Sequence, residues 1–253
     1  MGILDGKIAL ITGAGQGIGH GVATALAKEG ADIAVLGRTE SKLVDTCAEL
    51  TPLGVRAIPV QCDVSELGTL ETAVDTVVDR LGGIDILVNN ANSSALGPLL
   101  EIDLDAVDLA FRTGPMAALR LMRLVHPHMT ARGGGSIVNM VTSAAVRWDM
   151  TGYGSYAAAK EALRTFSRAA ASEWGPDNIR VNAVAPHAMS PGLKWWTENR
   201  PEEAAAFIKT IPAGRIGECE EDIGRAVVWL CSDDSRYLTG ATIPLDGGQA
   251  RWS

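Results

Sequence analysis

Short runs in which nearly every position is apolar alternate with longer stretches of helical periodicity along almost the whole chain. The runs fall at residues 7–12, 33–36, 55–60, 84–88, 136–141, 179–184 and 242–245. A strand that is apolar on both faces must be covered on both sides, which a parallel sheet flanked by helices provides. Right-handed crossovers between such strands give a doubly wound α/β sandwich. The first helix is expected at about 17–29, closed by Gly30. The least regular stretch, about 187–212, carries Pro191, Gly192, Trp195, Trp196 and Pro201, and reads as a loop-and-short-helix lid. No linker, repeat or low-complexity tract interrupts the pattern, so a single domain over residues 1–253 is expected.

Charge and composition narrow the function classes. The 22 basic and 30 acidic side chains leave a net charge of −8, and no Lys/Arg-rich run occurs. Nucleic acid and anionic membrane are therefore not expected partners. No apolar stretch reaches the length of a bilayer span, and the N-terminal residues lack a signal-peptide pattern. Cys47, Cys62, Cys219 and Cys231 form no CxxC pair, which fits a reducing cytoplasm. His126 and His128 have no third ligand nearby in sequence, so no metal is expected.

Between the first strand and helix lies Thr12-Gly-Ala-Gly-Gln-Gly-Ile-Gly19, in which Gly13, Gly17 and Gly19 fit G-x-x-x-G-x-G, with Gln16 and Ile18 between them. Glycine lets the turn bring backbone N–H groups close to a pyrophosphate at a helix N-terminus. An acid about 20 residues further on would accept from the ribose 2′-OH of NAD. Here the second strand ends in Leu36-Gly37-Arg38-Thr39. A guanidinium suits a 2′-phosphate, so NADP(H) is favoured and NAD(H) is the alternative.

Tyr156 and Lys160 are four apart at the start of an Ala-rich helix, so both project from one face. A phenol titrates near 10, and a neighbouring ammonium favours its ionised form. Ser143, thirteen positions upstream of Tyr156, stands just past a strand end, where open α/β sheets hold ligands. Counting along the strand instead selects Thr142, and both hydroxyls stay open.

These motifs occur in an order that resembles the short-chain dehydrogenase/reductase family, in its single-domain Tyr-x-x-x-Lys branch. Cys62-Asp-Val64, Asn89-Asn-Ala91, Val181-Asn-Ala-Val-Ala-Pro186, Ile211-Pro-x-Gly-Arg-Ile-Gly217 and Asp246-Gly-Gly248 complete the resemblance over essentially the whole chain. It implies a seven-stranded, mostly parallel Rossmann sheet and hydride transfer between a nicotinamide and a ketone or secondary alcohol. The cofactor half would span about 1–140 and the catalytic and substrate half about 141–253. Tyr156 would be the general acid/base, Ser143 would orient the substrate oxygen, and Lys160 would lower the tyrosine pKa and hold the nicotinamide ribose. Asp63 and Val64 would meet the adenine, while Asn90, Ala91 and Pro186 would line the cofactor trough. A homotetramer or homodimer is implied by family likeness.

The chain departs from that pattern at three places. Phe111 stands where the family has an Asn that helps hold a proton-relaying water. Asn92 replaces the glycine after Asn-Asn-Ala, and His187 replaces the one after Pro186. Asn92 and His187, with the aromatic side chains Trp148 and Tyr153 that could wall an apolar pocket, are the substrate-contact residues expected. Phe111 motivates a second reading, a catalytically weak dinucleotide sensor or oligomeric partner of the same fold. A methyltransferase would share the sheet but needs no Tyr-x-x-x-Lys.

Overall fold

The apolar runs pair edge to edge in the computed structural model, which describes residues 2–147, 149 and 151–252. Strands β1 (Ile8–Thr12), β2 (Asp32–Gly37), β3 (Ala57–Gln61), β4 (Ile86–Asn89), β5 (Gly135–Met140), β6 (Ile179–Pro186) and β7 (Thr242–Leu245) form one sheet in the order β3-β2-β1-β4-β5-β6-β7. Every pairing is parallel. The helices are α1 (Gly17–Lys28), α2 (Glu40–Leu50), α3 (Leu70–Leu81), α4 (Leu104–Phe111), α5 (Ala117–Ala131), α6 (Gly154–Trp174), α7 (Pro191–Asn199), α8 (Pro201–Ile208) and α9 (Arg225–Cys231).

Alternate residues of each strand enter different cores, as pleating requires. Ala9, Ile11, Ile33 and Val35 pack with α1, α2 and α9 through Val22, Leu26, Leu43 and Val227. Ile8, Leu10, Ala34 and Leu36 pack on the opposite face with α3, α5 and α6 through Val74, Leu121 and Ala170. At the amino end of the sheet the buried Asp85 accepts the Ile8 N–H at 2.8 Å and the Arg132 Nε at 2.8 Å. That closes one end. The order in which strands are added reverses between the parallel neighbours β1 and β4, so a crevice opens at their carboxyl ends.

Between α4 and α5 the helix widens into a π turn over Arg112–Met116. Pro115 has no N–H for the α-type bond to the Phe111 carbonyl, and the Ala117 N–H instead reaches back to the Arg112 carbonyl. The stretch expected as a lid forms two helices. Ser190 caps α7 through its hydroxyl on the Leu193 N–H, Pro191 opens α7, and Pro201 opens α8. No helix among the described residues is long and apolar enough to cross a membrane.

Candidate active site

The turn between β1 and α1 forms one wall of the crevice. Gly13 (φ 67°) and Gly17 (φ 58°) adopt left-handed conformations that favour glycine. Gly19 is required by space, since a Cβ there would lie 2.5 Å from the Gly13 carbonyl oxygen. Across the crevice, Thr12 Oγ1 accepts the N–H groups of Asn90 and Ala91, each at 2.9 Å. The Asn90 amide donates back to the Thr12 carbonyl at 2.9 Å and to the Gly13 carbonyl at 3.3 Å. The turn after β1 and the loop after β4 are thus stitched together along one edge.

Between them lies a trough of about 440 Å³. It brings together Gly13, Gln16, Gly17, Ile18 and Arg38 at one end, Asp63, Val64, Asn90 and Ala91 along the middle, and Asn92, Tyr156, Lys160 and Pro186 at the other. Gly19 is buried beneath the turn and supports it rather than lining it. Sequence reasoning missed Lys42, Thr113 and Met140, which also line the trough. Thr113 Oγ1 accepts the Ser93 N–H at 3.0 Å and donates to the Leu109 carbonyl at 2.8 Å, tying the π turn to the loop after β4. Phe111, half-buried at the end of α4, is not among the lining residues.

The trough fits an extended nicotinamide dinucleotide. Its glycine floor admits backbone closer than a Cβ would allow, a helix N-terminus opens onto it, and Arg38 and Lys42 place cations at one end. The polar side chains at the other end suit ribose hydroxyls.

There, Tyr156 and Lys160 rise from one face of α6. Lys160 is buried, with Nζ donating to the Met140 carbonyl at 2.7 Å and lying 5.9 Å from the Tyr156 ring centroid. Burial brings its pKa down to about 8. Burial pushes the Tyr156 phenol up, the hydrogen-bonding Thr142 side chain offsets part of that, and Tyr153 adds a further upward push. The downward pull expected from Lys160 is not among the causes that act on the phenol; Thr142 is the group that lowers its pKa.

The two candidate hydroxyls face different ways. Thr142 lies against the phenol, and its oxygen accepts the Ala144 N–H at 3.2 Å, so its own proton points to the phenol oxygen. Ser143 donates to the Asp246 carboxylate at 2.5 Å, and both side chains are buried. Asp246 also accepts the N–H groups of Gly248 at 3.0 Å and Ala250 at 3.2 Å.

Of the expected substrate contacts, Asn92 lines the trough and Tyr153 is exposed at the entry to α6. His187 packs edge-to-face on Phe207 at 5.4 Å, with burial holding its pKa down, and Trp196 packs on the same Phe207 at 5.4 Å. Trp148 lies outside the described residues. His126 pairs with Asp177 at 2.9 Å and stacks on Trp174. The loop after β4 continues to exposed Leu96, Leu99 and Leu100, and the Gly97 N–H fastens it to the Gly152 carbonyl at 2.8 Å. Leu99 lies against Gly154, two residues before Tyr156, and both Tyr153 and, on α7, Trp195 are likewise exposed apolar side chains.

Comparison with known proteins extends this picture. Residues 13–250 match a family model described as enoyl-(acyl carrier protein) reductase. The chain is 42% identical to a 12alpha-hydroxysteroid dehydrogenase from Clostridium sp. over 259 residues, covering 99% of each chain. It superposes with a TM-score of 0.92 on a 7 alpha-hydroxysteroid dehydrogenase complexed with NADH and 7-oxo glycochenodeoxycholic acid. That pair is 32% identical, with 98% of this chain and 96% of the other covered. A protein from Beutenbergia cavernae assigned as an NAD(P)-dependent gluconate 5-dehydrogenase, with NADP bound at low occupancy, gives a TM-score of 0.90. Its identity is 32%, with 97% of each chain covered.

Proposed function

The chain belongs to the short-chain dehydrogenase/reductase family, whose members are NAD(P)-dependent oxidoreductases acting on hydroxyl or carbonyl groups, and on that premise we propose that it is an NADP(H)-preferring reductase of bulky apolar ketones, of hydroxysteroid type. The observation that carries the catalytic reading is the pairing of Tyr156 and Lys160 at one end of the trough, with the Thr142 side chain hydrogen-bonded to the phenol from behind the lining. The likeness to hydroxysteroid dehydrogenases, with exposed Leu96, Leu99 and Leu100 on the loop after β4 and Leu99 beside Gly154 near Tyr156, supports a steroid-sized substrate over a sugar acid. Arg38, with no acid at the tip of β2, supports NADP(H).

A bound nicotinamide would supply or accept the hydride. In reduction, Tyr156 Oη gives its proton to the substrate oxygen as the carbonyl carbon is reduced. Its raised pKa keeps the phenol protonated at neutral pH, which suits a proton donor. Thr142 donates a hydrogen bond to the same oxygen and stabilises the charge that develops on it. Ser143 is less suited, since its proton is already given to Asp246. Lys160 holds the ribose and anchors the end of β5 through Met140. The lid at about 187–212 covers the substrate, and the chain works as one unit. Exposed Leu104, Leu109 and Met116 along α4 and its π turn support a homodimer or homotetramer.

The test is kinetic. With a panel of oxosteroids and keto-sugar acids, NADPH-dependent reduction of an oxosteroid is expected to exceed that of a sugar acid. Tyr156→Phe should abolish turnover while keeping NADPH binding, and Thr142→Ala should lose far more kcat than Ser143→Ala. Full turnover by Tyr156→Phe overturns the mechanism. A larger loss in Ser143→Ala moves the orienting role to Ser143.

A further inference from the structure

The wall of the trough formed by α2 carries a second cation beyond Arg38. β2 ends at Gly37, Arg38 and Thr39 follow, and Lys42 lies in the first turn of α2; all four line the same trough. Lys42 is laid directly over the phosphate turn. A Cβ on Gly15 would come within 3.1 Å of Lys42 Cβ, and Lys42 Nζ donates to the side-chain oxygen of Gln16 at 2.5 Å. An ammonium usually finds a carboxylate, but here its partner is a neutral amide. Among the described residues neither Arg38 nor Lys42 enters an ion pair, although most other ion pairs of the chain engage an arginine.

The acids nearby are placed elsewhere. Glu40 is exposed on α2 outside the trough lining, and Asp63, on the opposite side, accepts the Ser65 N–H at 2.9 Å. The Thr39 hydroxyl makes no capping bond, so the first amides of α2 and that hydroxyl open onto the same space. We propose that Lys42 is a specificity-determining residue for the cofactor, closing on the 2′-phosphate of NADP(H) together with Arg38. The proposal rests on the NADP(H) reading above and adds a residue to it. Arg38 offers a planar fork and Lys42 a point charge on a flexible stem, so the two approach one phosphate from different sides. A free ribose 2′-hydroxyl draws much less from either cation, since a charge-assisted bond to phosphate is the stronger one.

The experiment uses two nicotinamide-free probes, 2′,5′-ADP and 5′-AMP, titrated by isothermal calorimetry into the full chain and its Lys42→Met, Arg38→Met and double variants. Lys42 is exposed, so its truncation leaves the core intact. Wild type is expected to bind 2′,5′-ADP more tightly than 5′-AMP. Lys42→Met should weaken 2′,5′-ADP about three- to tenfold and leave 5′-AMP within about twofold. The double variant should lose more than either single one, and Lys42→Arg should restore part of the affinity. Equal weakening of both probes, or none for 2′,5′-ADP, overturns the role of Lys42 while the NADP(H) reading stands. Wild type that fails to discriminate between the probes overturns that reading and this proposal with it.

Discussion

Replacing Lys160 with methionine should make the cofactor-free protein more stable at neutral pH. Lys160 is buried and, among the described residues, hydrogen-bonds only to the Met140 carbonyl, so its charge is held in a place that disfavours it. The pKa falls from 10.5 to about 8 by burial alone. A difference of about 2.5, at 1.36 kcal/mol for each, is about 3 kcal/mol of stability given up at pH 7. Methionine is of similar length and apolar, but it strands the Met140 carbonyl, which costs about 1–2 kcal/mol. The net gain expected at pH 7 is therefore about 1–2 kcal/mol.

The pH dependence gives the sharper check. Because the folded-state pKa is the lower one, the unfolded chain holds more protons between pH 8 and pH 10.5, and wild-type stability rises with pH through that window. The penalty is fully present below about pH 8 and gone above about 10.5. The methionine variant should thus lose its advantage by pH 10 and fall behind beyond it. Urea unfolding followed by circular dichroism at pH 7 and pH 10 measures both midpoints. A variant less stable than wild type at pH 7, or a difference that is the same at both pH values, refutes the argument.

Gly19→Ala should displace the turn after β1, since its Cβ would also lie 2.6 Å from Asn90 Nδ2; NADPH titration should show at least about a tenfold loss of affinity. Asp246→Asn replaces an acceptor of three hydrogen bonds with a group that must turn a donor toward one of its donors. Thermal melting should show a loss of about 2 kcal/mol, and kcat should drop while the NADPH affinity holds.

Parallel strands buried on both faces announce themselves in sequence, and β1 through β7 appear within about two residues of the apolar runs. The phosphate turn was equally legible, because its glycines answer to backbone space that no other residue fits. Distinguishing Thr142 from Ser143 was not, because the loop between β5 and α6 has no fixed length and counting from its two ends differs by one. Their hydrogen-bond partners, the Tyr156 phenol for Thr142 and Asp246 for Ser143, are side-chain geometry that spacing does not carry. Lys42 carries no motif signal of its own, because the cofactor pattern ends at the tip of β2, although Arg38 and Lys42 stand four apart across the start of α2. The π turn had a signal in Pro115, but a proline also ends or kinks helices, and sequence alone does not choose among these. The Ser190-Pro191 and Pro201 starts of α7 and α8 are readable helix openings within the stretch expected as a loop-and-short-helix lid.

The bond between Ser143 and Asp246 joins positions 103 residues apart in the chain. During synthesis the catalytic helix and its tyrosine are made long before the carboxylate that fixes the adjoining loop. A nascent chain can therefore assemble the nucleotide-binding strands first and acquire an ordered catalytic loop only when β7 docks. An ordered loop after β5 then arrives as a late event in biogenesis.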